Sequence, residues 1–187
     1  QELKMPLWRD LLQLSAQLNE TGEIQAIAVT GMDRVAVSQH YANRTNYTLR
    51  AVKTIALIDC NTSVVLDVHF RRNNHTIHRL RGSYSCVTQQ TEYLTADKDH
   101  DWELLHWRLR SEGVKPLIKY RQFGCHSVSN NVLLDDRTYH QRSNIESTFF
   151  ALPRKSGEIV RARIWFGQFR ELVLKCAVRN VELALDR

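Results

Sequence analysis

The chain has 187 residues, of which 43% are apolar and 25% are charged, and its formal net charge is +6. This length and balance predict one globular domain, residues 1–187, with a sizeable core, and they exclude a disordered or low-complexity chain. No apolar run approaches the roughly 20 residues of a membrane span, so we expect no membrane partner. The basic excess suits a polyanionic partner without proving one.

Cysteine usage bears on the compartment. The four cysteines, Cys60, Cys86, Cys125 and Cys176, form no C-x-x-C pair, which disfavours a zinc site. They lie in apolar or mixed surroundings, as buried free thiols do in a reducing cytosol, and no signal peptide is visible. We therefore expect a cytoplasmic protein. Because the chain begins at Gln1 rather than Met, we allow for a further DNA-binding segment upstream.

The first part of the chain predicts one helix and three strands. Four leucines recur at spacings of three and four, which indicates an amphipathic helix: Leu7, Leu11, Leu14 and Leu18. The apolar runs 25–30, 51–59 and 64–70 have the length and composition of strands. An Asn-Thr-Ser turn at 61–63 predicts that the last two strands form a hairpin.

The polar segment 32–50 interleaves basic and aromatic side chains. They are Arg34, His40, Tyr41, Arg44, Tyr47 and Arg50. Such a loop can clasp a DNA backbone and stack on an unpaired base, with Arg44 as a candidate contact. A solvated hairpin with scattered charges explains the same composition equally well.

A strand, helix, strand unit follows. Residues 91–96 predict a strand that ends on Asp97, residues 102–111 a helix and residues 114–118 a further strand. Short connections between these elements indicate a parallel crossover. The chain as a whole has the element order of a layered α/β domain.

The last part predicts a loop at 120–138, a helix over 139–154 and a long helix over 165–185. Six residues of the middle helix recur at spacings of three and four: Tyr139, Arg142, Ile145, Glu146, Phe149 and Leu152. A carboxylate at the rim of a buried face is costly unless it is paired or bound to a cation. Spacing alone favours a bridge from Glu146 to Arg142, and a bound cation is the alternative.

The pattern of Tyr139, Arg142 and Glu146 resembles the signature of insertion-sequence transposases of the DDE type. Further similar stretches extend the resemblance from about residue 25 to 185. They are residues 38–41 with Arg44, 53–59, 96–98, 101–102, 116–119 and 161–174. The resemblance implies a ribonuclease-H-like fold, a mixed five-stranded sheet flanked by helices with strand 1 central.

The same resemblance implies metal-dependent cleavage and strand transfer of double-stranded DNA at insertion-sequence ends. Two Mg²⁺ or Mn²⁺ ions about 3.5–4 Å apart would be held by three carboxylates. Asp97 and Glu146 take the second and third positions as catalytic and metal-binding residues. Without the resemblance, a turn or helix N-cap explains Asp97 about as well.

The first carboxylate is absent. The stretch around Gly31 places the expected Asp at position 28, where this chain has Ala28. Asp33 and Asp59 are the nearest substitutes, and we expect neither to serve. Other departures from the family pattern are His75 for an Asp, Asp99-His100 for Gly-Tyr, and Pro153 for a basic residue.

The implied DNA contacts are Tyr139 and Arg142 near the site, with Lys119 and Arg121 adding phosphate contacts. Three functions stay open from the sequence. The first is a transposase that cuts and joins DNA, either active or impaired by Ala28. The second is a binding module that holds DNA ends without cutting, and the third is a nuclease of the same fold that hydrolyses but does not join. A homodimer is expected by analogy only.

Overall fold

The computed structural model describes residues 4–32, 52–71, 91–121, 125–143, 145, 157, 159–162 and 164–186. Two predicted site residues, the DNA contact Arg44 and the metal ligand Glu146, lie outside these ranges. Asp33, His75 and Pro153 lie outside them as well.

The sheet has five strands. They are β1 (Ile24–Met32), β2 (Val52–Asp59), β3 (Val65–Arg71), β4 (Tyr93–Ala96) and β5 (Lys115–Ile118). Their order in space is β3-β2-β1-β4-β5. β2 pairs antiparallel with β1 and β3, whereas β4 runs parallel to β1 and β5. The predicted mixed five-stranded sheet with strand 1 central is confirmed.

One buried carboxylate holds the turn between β2 and β3. Asp59 Oδ1 accepts hydrogen bonds from the backbone N–H groups of Asn61 and Thr62 at 3.1 and 2.8 Å and from Thr62 Oγ1 at 2.8 Å. Its Oδ2 accepts from Gly22 N at 2.6 Å, which ties the entry to β1 to the same turn. Ser63 completes the reversal with a φ of 62°.

The described helices flank the sheet. They are α1 (Lys4–Gln17), α2 (Glu103–Ser111), α3 (Cys125–Val132), α4 (Asp136–His140) and α5 (Trp165–Leu185). Gly113 ends the α2 region with a φ of 81°, in the left-handed conformation expected at a helix C-terminus. None of these helices combines the length and the apolar composition that a bilayer crossing needs.

The prediction of a loop over 120–138 was wrong, because α3 and the start of α4 lie there. These helices are short, so their apolar periodicity is too brief to recognise. A local polar contact starts α4: Asp135 Oδ1 accepts from Arg137 N at 3.1 Å, and Asp135 Oδ2 accepts from Thr138 Oγ1.

The prediction of one continuous helix from residue 139 was also wrong at its start. α4 ends at His140, and the chain then turns at residues 141–142. Arg142 N donates to Tyr139 O at 3.2 Å, and Ile145 N donates to Arg142 O at 3.1 Å. These three-residue steps are tight turns, so Tyr139 and Arg142 precede the segment of Ile145 instead of sharing a helix with it.

Two apolar clusters lie against the strands. The first joins Leu12 of α1, Phe169 of α5 and Ile145 to alternate residues of β1 such as Ala26. The second includes Leu105 of α2 and takes the intervening β1 residue Ile27. Successive strand residues point to opposite faces, so β1 contributes to both clusters.

Asn180 of α5 connects three elements while fully buried. Its Oδ1 accepts from Val65 N at 2.9 Å and its Nδ2 donates to Val65 O at 2.8 Å, which satisfies the backbone of the edge strand β3. Its Nδ2 also donates to Ser15 Oγ of α1 at 3.1 Å, and its own carbonyl accepts from Asn19 Nδ2 at 2.9 Å.

We expect Asn180→Ala to lower the free energy of unfolding by about 2–4 kcal/mol, since both Val65 backbone groups lose their partner in a buried place. Urea denaturation measures the loss. Asn130→Ala, at an exposed position of α3, is the control and should change stability by less than about 0.5 kcal/mol. Equal losses for the two variants would contradict the role given to Asn180.

Candidate active site

Strand register brings three predicted site positions to one edge of the sheet. The last residue pair between β1 and β4 is Ile27 with Ala96, and Ala96 also pairs with Ile118 of β5. The next position on each strand is Ala28, Asp97 and Lys119 respectively. Neighbouring strands lie about 4.8 Å apart, so these residues form a short row across the sheet.

This row lies on the face of the sheet that the first apolar cluster covers. Ala28 is partly buried and packs against that cluster, in which Ile145 is 1% exposed. Asp97 continues β4 in an extended conformation, with φ −67° and ψ 156°, and therefore keeps the strand's alternation. Ile145 immediately precedes Glu146 in the chain, so the third carboxylate position follows a residue anchored in the cluster that Ala28 contacts.

Asp97 is half-exposed and caps the 3₁₀ turn Lys98–His100. Its Oδ1 accepts from Lys98 N at 2.7 Å. The N-cap interpretation of this residue therefore describes a real contact. A cap that uses one carboxylate oxygen is compatible with a second role, because a carboxylate has two oxygens with several lone pairs.

The described residues do not fit a two-metal site. Within the described ranges no group of three or more His, Cys, Asp or Glu could hold a metal ion. Ala28 offers only a methyl group where a carboxylate is expected, which leaves Asp97 as the carboxylate of the row. No metal-dependent step therefore follows from these residues.

Asp59 does not replace the missing carboxylate. It pairs with Gln25 near the start of β1, three residues before Ala28, and therefore on the opposite face of the strand from Ala28. All four of its described hydrogen bonds serve the turn after β2 and the entry to β1. This position agrees with the expectation that Asp59 does not act as the first metal-binding carboxylate.

Lys119, Tyr139 and Arg142 come together beside the row. The Lys119 ammonium lies 4.6 Å from the centre of the Tyr139 ring, and the Arg142 guanidinium carbon lies 5.7 Å from it. Tyr139 is 8% exposed, so its ring is a fixed support for both cations. Lys119 Nζ also lies 3.3 Å from Asp136 Oδ1.

Arg121 turns back toward the loop after β4. Its Nε donates to Lys98 O at 3.3 Å and its Nη2 lies 3.3 Å from Asp99 Oδ1. The guanidinium is exposed and lies next to the Asp97 turn, but its charge is partly balanced by Asp99. Its predicted phosphate contact stays a prediction.

A polar network that the sequence did not reveal fixes this part of the edge. Asp101 Oδ1 lies 3.2 Å from His106 Nε2, and Asp101 Oδ2 accepts from Arg121 N at 2.7 Å. The Tyr120 ring stacks on His106 with centroids 4.6 Å apart. The backbone N–H of Tyr120 donates to Asn131 Oδ1 at 2.7 Å, and the Tyr120 carbonyl accepts from Asn131 Nδ2 at 2.9 Å. The loops that follow β4 and β5 are thereby tied together.

Two buried histidines lie under these loops. His100 and His106 are 3% and 2% exposed, and burial lowers the pKa of each below the ordinary 6.5. Nearby acidic groups oppose the effect of burial: Asp97 and Asp99 at His100, and Asp101 at His106. Burial therefore favours the neutral form of both imidazoles.

The lowered pKa of His100 and of His106 predicts that the folded state loses stability in mild acid. The unfolded chain binds a proton at each histidine near pH 6.5, whereas the folded chain binds it only at lower pH, so stability falls as the pH falls below about 6.5. Each histidine adds at most about 1.4 kcal/mol per pH unit. Urea denaturation between about pH 7.5 and 5.5 measures the slope.

Removing a buried histidine tests the cause. His106→Gln should reduce the slope of the free energy of unfolding against pH. His140→Gln, at an exposed site, is the matched control. A slope that His106→Gln and His140→Gln change to the same extent would refute this assignment.

The comparisons with known proteins agree with the geometry. The sequence model of the family described as Transposase DDE domain matches residues 25–181. Twelve chains of solved structures match significantly. One of them is a cryo-EM structure of a piggyBac transposase synaptic complex with hairpin DNA, at a TM-score of 0.57 and 9% sequence identity. At this identity the likeness shows the fold alone.

The two chains differ in length. The match covers 89% of this chain and 48% of the piggyBac transposase chain, so this chain spans about half the length of that protein. No curated protein matches this chain significantly.

Proposed function

Because the chain belongs to the family of transposase DDE domains, we propose that it binds double-stranded DNA as a transposase domain whose strand cleavage and strand transfer are impaired. The observation that carries the proposal is the row at the sheet edge. Ala28 stands beside Asp97 where a second acidic side chain would complete a cation pocket.

The impairment follows from what the reaction requires. Bound Mg²⁺ or Mn²⁺ supplies charge stabilisation at the scissile phosphate, and carboxylates fix the position of the ions. Replacing one of three carboxylates by a methyl group removes a negative charge and two oxygen ligands. Asp97, and Glu146 by the resemblance, would then be the only carboxylates left of the three, so the ions would be poorly positioned. A small error in position costs about 100-fold in rate.

The DNA contact is proposed for the cationic group beside the row. Lys119 and Arg142 lie over the Tyr139 ring, which limits their conformational freedom and holds two positive charges close to each other. Lysine and arginine side chains are common contacts of the phosphates of a DNA backbone. Arg121 adds charge nearby, and Arg44 stays a proposed contact from the resemblance.

We also propose that the domain works in the cytoplasm. Cys60 and Cys176 are buried, and burial raises the pKa of each thiol to about 12. Such thiols are inert structural groups, in keeping with a reducing compartment.

Restoring the first carboxylate should restore cleavage. We expect Ala28→Asp to increase Mg²⁺-dependent nicking of DNA that contains the cognate ends by about 100-fold, because the ion regains a ligand next to Asp97. Gel analysis of labelled DNA measures the nick, and joined products distinguish a transposase from a nuclease.

Two variants control for the charge. Ala28→Asn has nearly the same shape without the charge and should give no increase, and Asp97→Asn added to Ala28→Asp should abolish the gain. If Ala28→Asp folds normally and nicking stays at the level of the original chain, the proposal of a lost first carboxylate is wrong. Salt-dependent binding without any nick would then favour a pure binding module.

The phosphate contact of Lys119 has a matched control on the same strand. Lys115 is the first residue of β5 and Lys119 directly follows its last. Each pairs with a carboxylate and a tyrosine ring: Asp136 and Tyr139 for Lys119, Glu92 and Tyr93 for Lys115. Of the two lysines, only Lys119 lies at the same end of the parallel strands as Asp97.

The logarithm of the binding constant falls linearly with the logarithm of the salt concentration. We expect Lys119→Ala to make this slope less steep by about 0.9, the value for one phosphate contact. Lys115→Ala should leave that slope unchanged. Fluorescence anisotropy at several salt concentrations measures both. Equal changes in the two variants would exclude a specific contact at Lys119.

A further inference from the structure

The two cations that follow β5 are each paired with an exposed carboxylate. Lys119 Nζ lies 3.3 Å from Asp136 Oδ1, and Arg121 Nη2 lies 3.3 Å from Asp99 Oδ1. The carboxylates come from different parts of the chain, Asp99 from the turn after β4 and Asp136 from the start of α4. Two separate elements thus bring negative charge to the side chains that are proposed to contact phosphate.

The helix α4 holds Lys119 with two side chains. Asp136 and Tyr139 are three residues apart on this helix, so they lie on the same face. The Lys119 ammonium lies beside the carboxylate and 4.6 Å from the centre of the ring. Capping of α4 is done by the preceding residue, because Asp135 Oδ1 accepts from Arg137 N. The contact of Asp136 with Lys119 is therefore separate from the start of the helix.

Arg121 is held by the turn that follows Asp97. Its backbone N–H donates to Asp101 Oδ2 at 2.7 Å, which fixes where its side chain begins. Its Nε donates to Lys98 O at 3.3 Å, and its Nη2 lies beside the Asp99 carboxylate. Asp99 therefore meets the guanidinium at the end of a side chain that two other contacts already position.

Both ion pairs are open to solvent and can therefore exchange. The side chains of Lys119 and Arg121 are 38% and 45% exposed, and those of Asp136 and Asp99 are 66% and 63% exposed. Ion pairs with this exposure add little to stability. A phosphate of the DNA backbone carries one negative charge and binds the same cations that a carboxylate binds. It can therefore take the place of either carboxylate without unfolding any element.

We propose that Asp99 and Asp136 are intramolecular substitutes for phosphate that lower the affinity of the chain for DNA of any sequence. Each carboxylate occupies one cation until a DNA phosphate displaces it. A chain with a net charge of +6 attracts polyanions without regard to their sequence. The two acids limit this attraction at the sheet edge, so tight binding there requires DNA that displaces both. This inference rests on the proposed phosphate contacts of Lys119 and Arg121.

Binding of a short labelled duplex of arbitrary sequence tests the inference without divalent ions. We expect Asp99→Asn and Asp136→Asn each to lower the dissociation constant by about 3-fold, and the double variant to lower it by about 10-fold. Fluorescence anisotropy at about 0.15 M salt measures the change, because charges more than about 8 Å apart are largely screened there. Glu92→Gln is the matched control, since Glu92 pairs with Lys115 at 2.9 Å, and it should leave the dissociation constant nearly unchanged.

A second background separates displacement from a general loss of negative charge. Asp136→Asn should lose its effect when it is added to Lys119→Ala, because no ammonium is then left for the carboxylate to occupy. A general effect of charge would tighten binding equally in both backgrounds. Equal effects with and without Lys119 overturn the inference, and so does a Glu92→Gln variant that tightens binding as much as Asp136→Asn.

Failure of this inference differs from failure of the proposed function. If Lys119→Ala weakens binding and neither asparagine variant tightens it, the phosphate contact stands and the role of the two acids is wrong. If the original chain and all variants bind no duplex, the proposed function is wrong and this inference falls with it. Asp99→Ser and Asp136→Ser replace any asparagine variant whose melting temperature falls.

Discussion

The parallel register between β1 and β4 is the constraint on which the candidate site depends. Pairing of Ile27 with Ala96 makes Ala28 and Asp97 neighbours at the end of the paired region. A slip by one residue would turn Ala28 to the opposite face and separate the two positions. The apolar alternation of β1 fixes this register, because Ala26 and Ile27 enter different clusters on the two faces.

The long helix α5 connects that register to the rest of the fold. Phe169 and Val173 fill the cluster against which Ala28 packs, and Ile145 belongs to the same cluster. The side chain of Asn180 satisfies the backbone of the edge strand β3 and binds α1. Packing of one helix thus supports the sheet, α1 and the segment that contains Ile145.

Elements with a long apolar pattern could be predicted from the sequence. The five strands, α2 and α5 have enough periodic residues to be recognised, and Asp97 could be placed at the sheet edge because it directly follows a strand. The strand order followed only from the family resemblance, since strand pairing depends on contacts between distant residues.

Short-range and non-local polar contacts could not be predicted in the same way. The turn after His140 has no apolar signal, and neither do the short helices α3 and α4. The contact of Asp101 with Arg121 joins residues twenty apart through a side chain and a backbone N–H group. No spacing rule relates such residues, so they emerge only when the chain is folded.

The substitution at position 28 has a physical advantage for a domain that binds without cutting. An aspartate there would lie against an apolar cluster and about 4.8 Å from the position of Asp97, and two adjacent carboxylates repel each other unless a cation lies between them. Alanine removes both costs and packs in the cluster. It also places one negative charge fewer at this end of the sheet, which would lower the repulsion of a phosphate there when no divalent ion is bound. Under the proposed function, Ala28 therefore has two effects: it removes a metal-binding carboxylate and it lowers the negative charge beside Asp97.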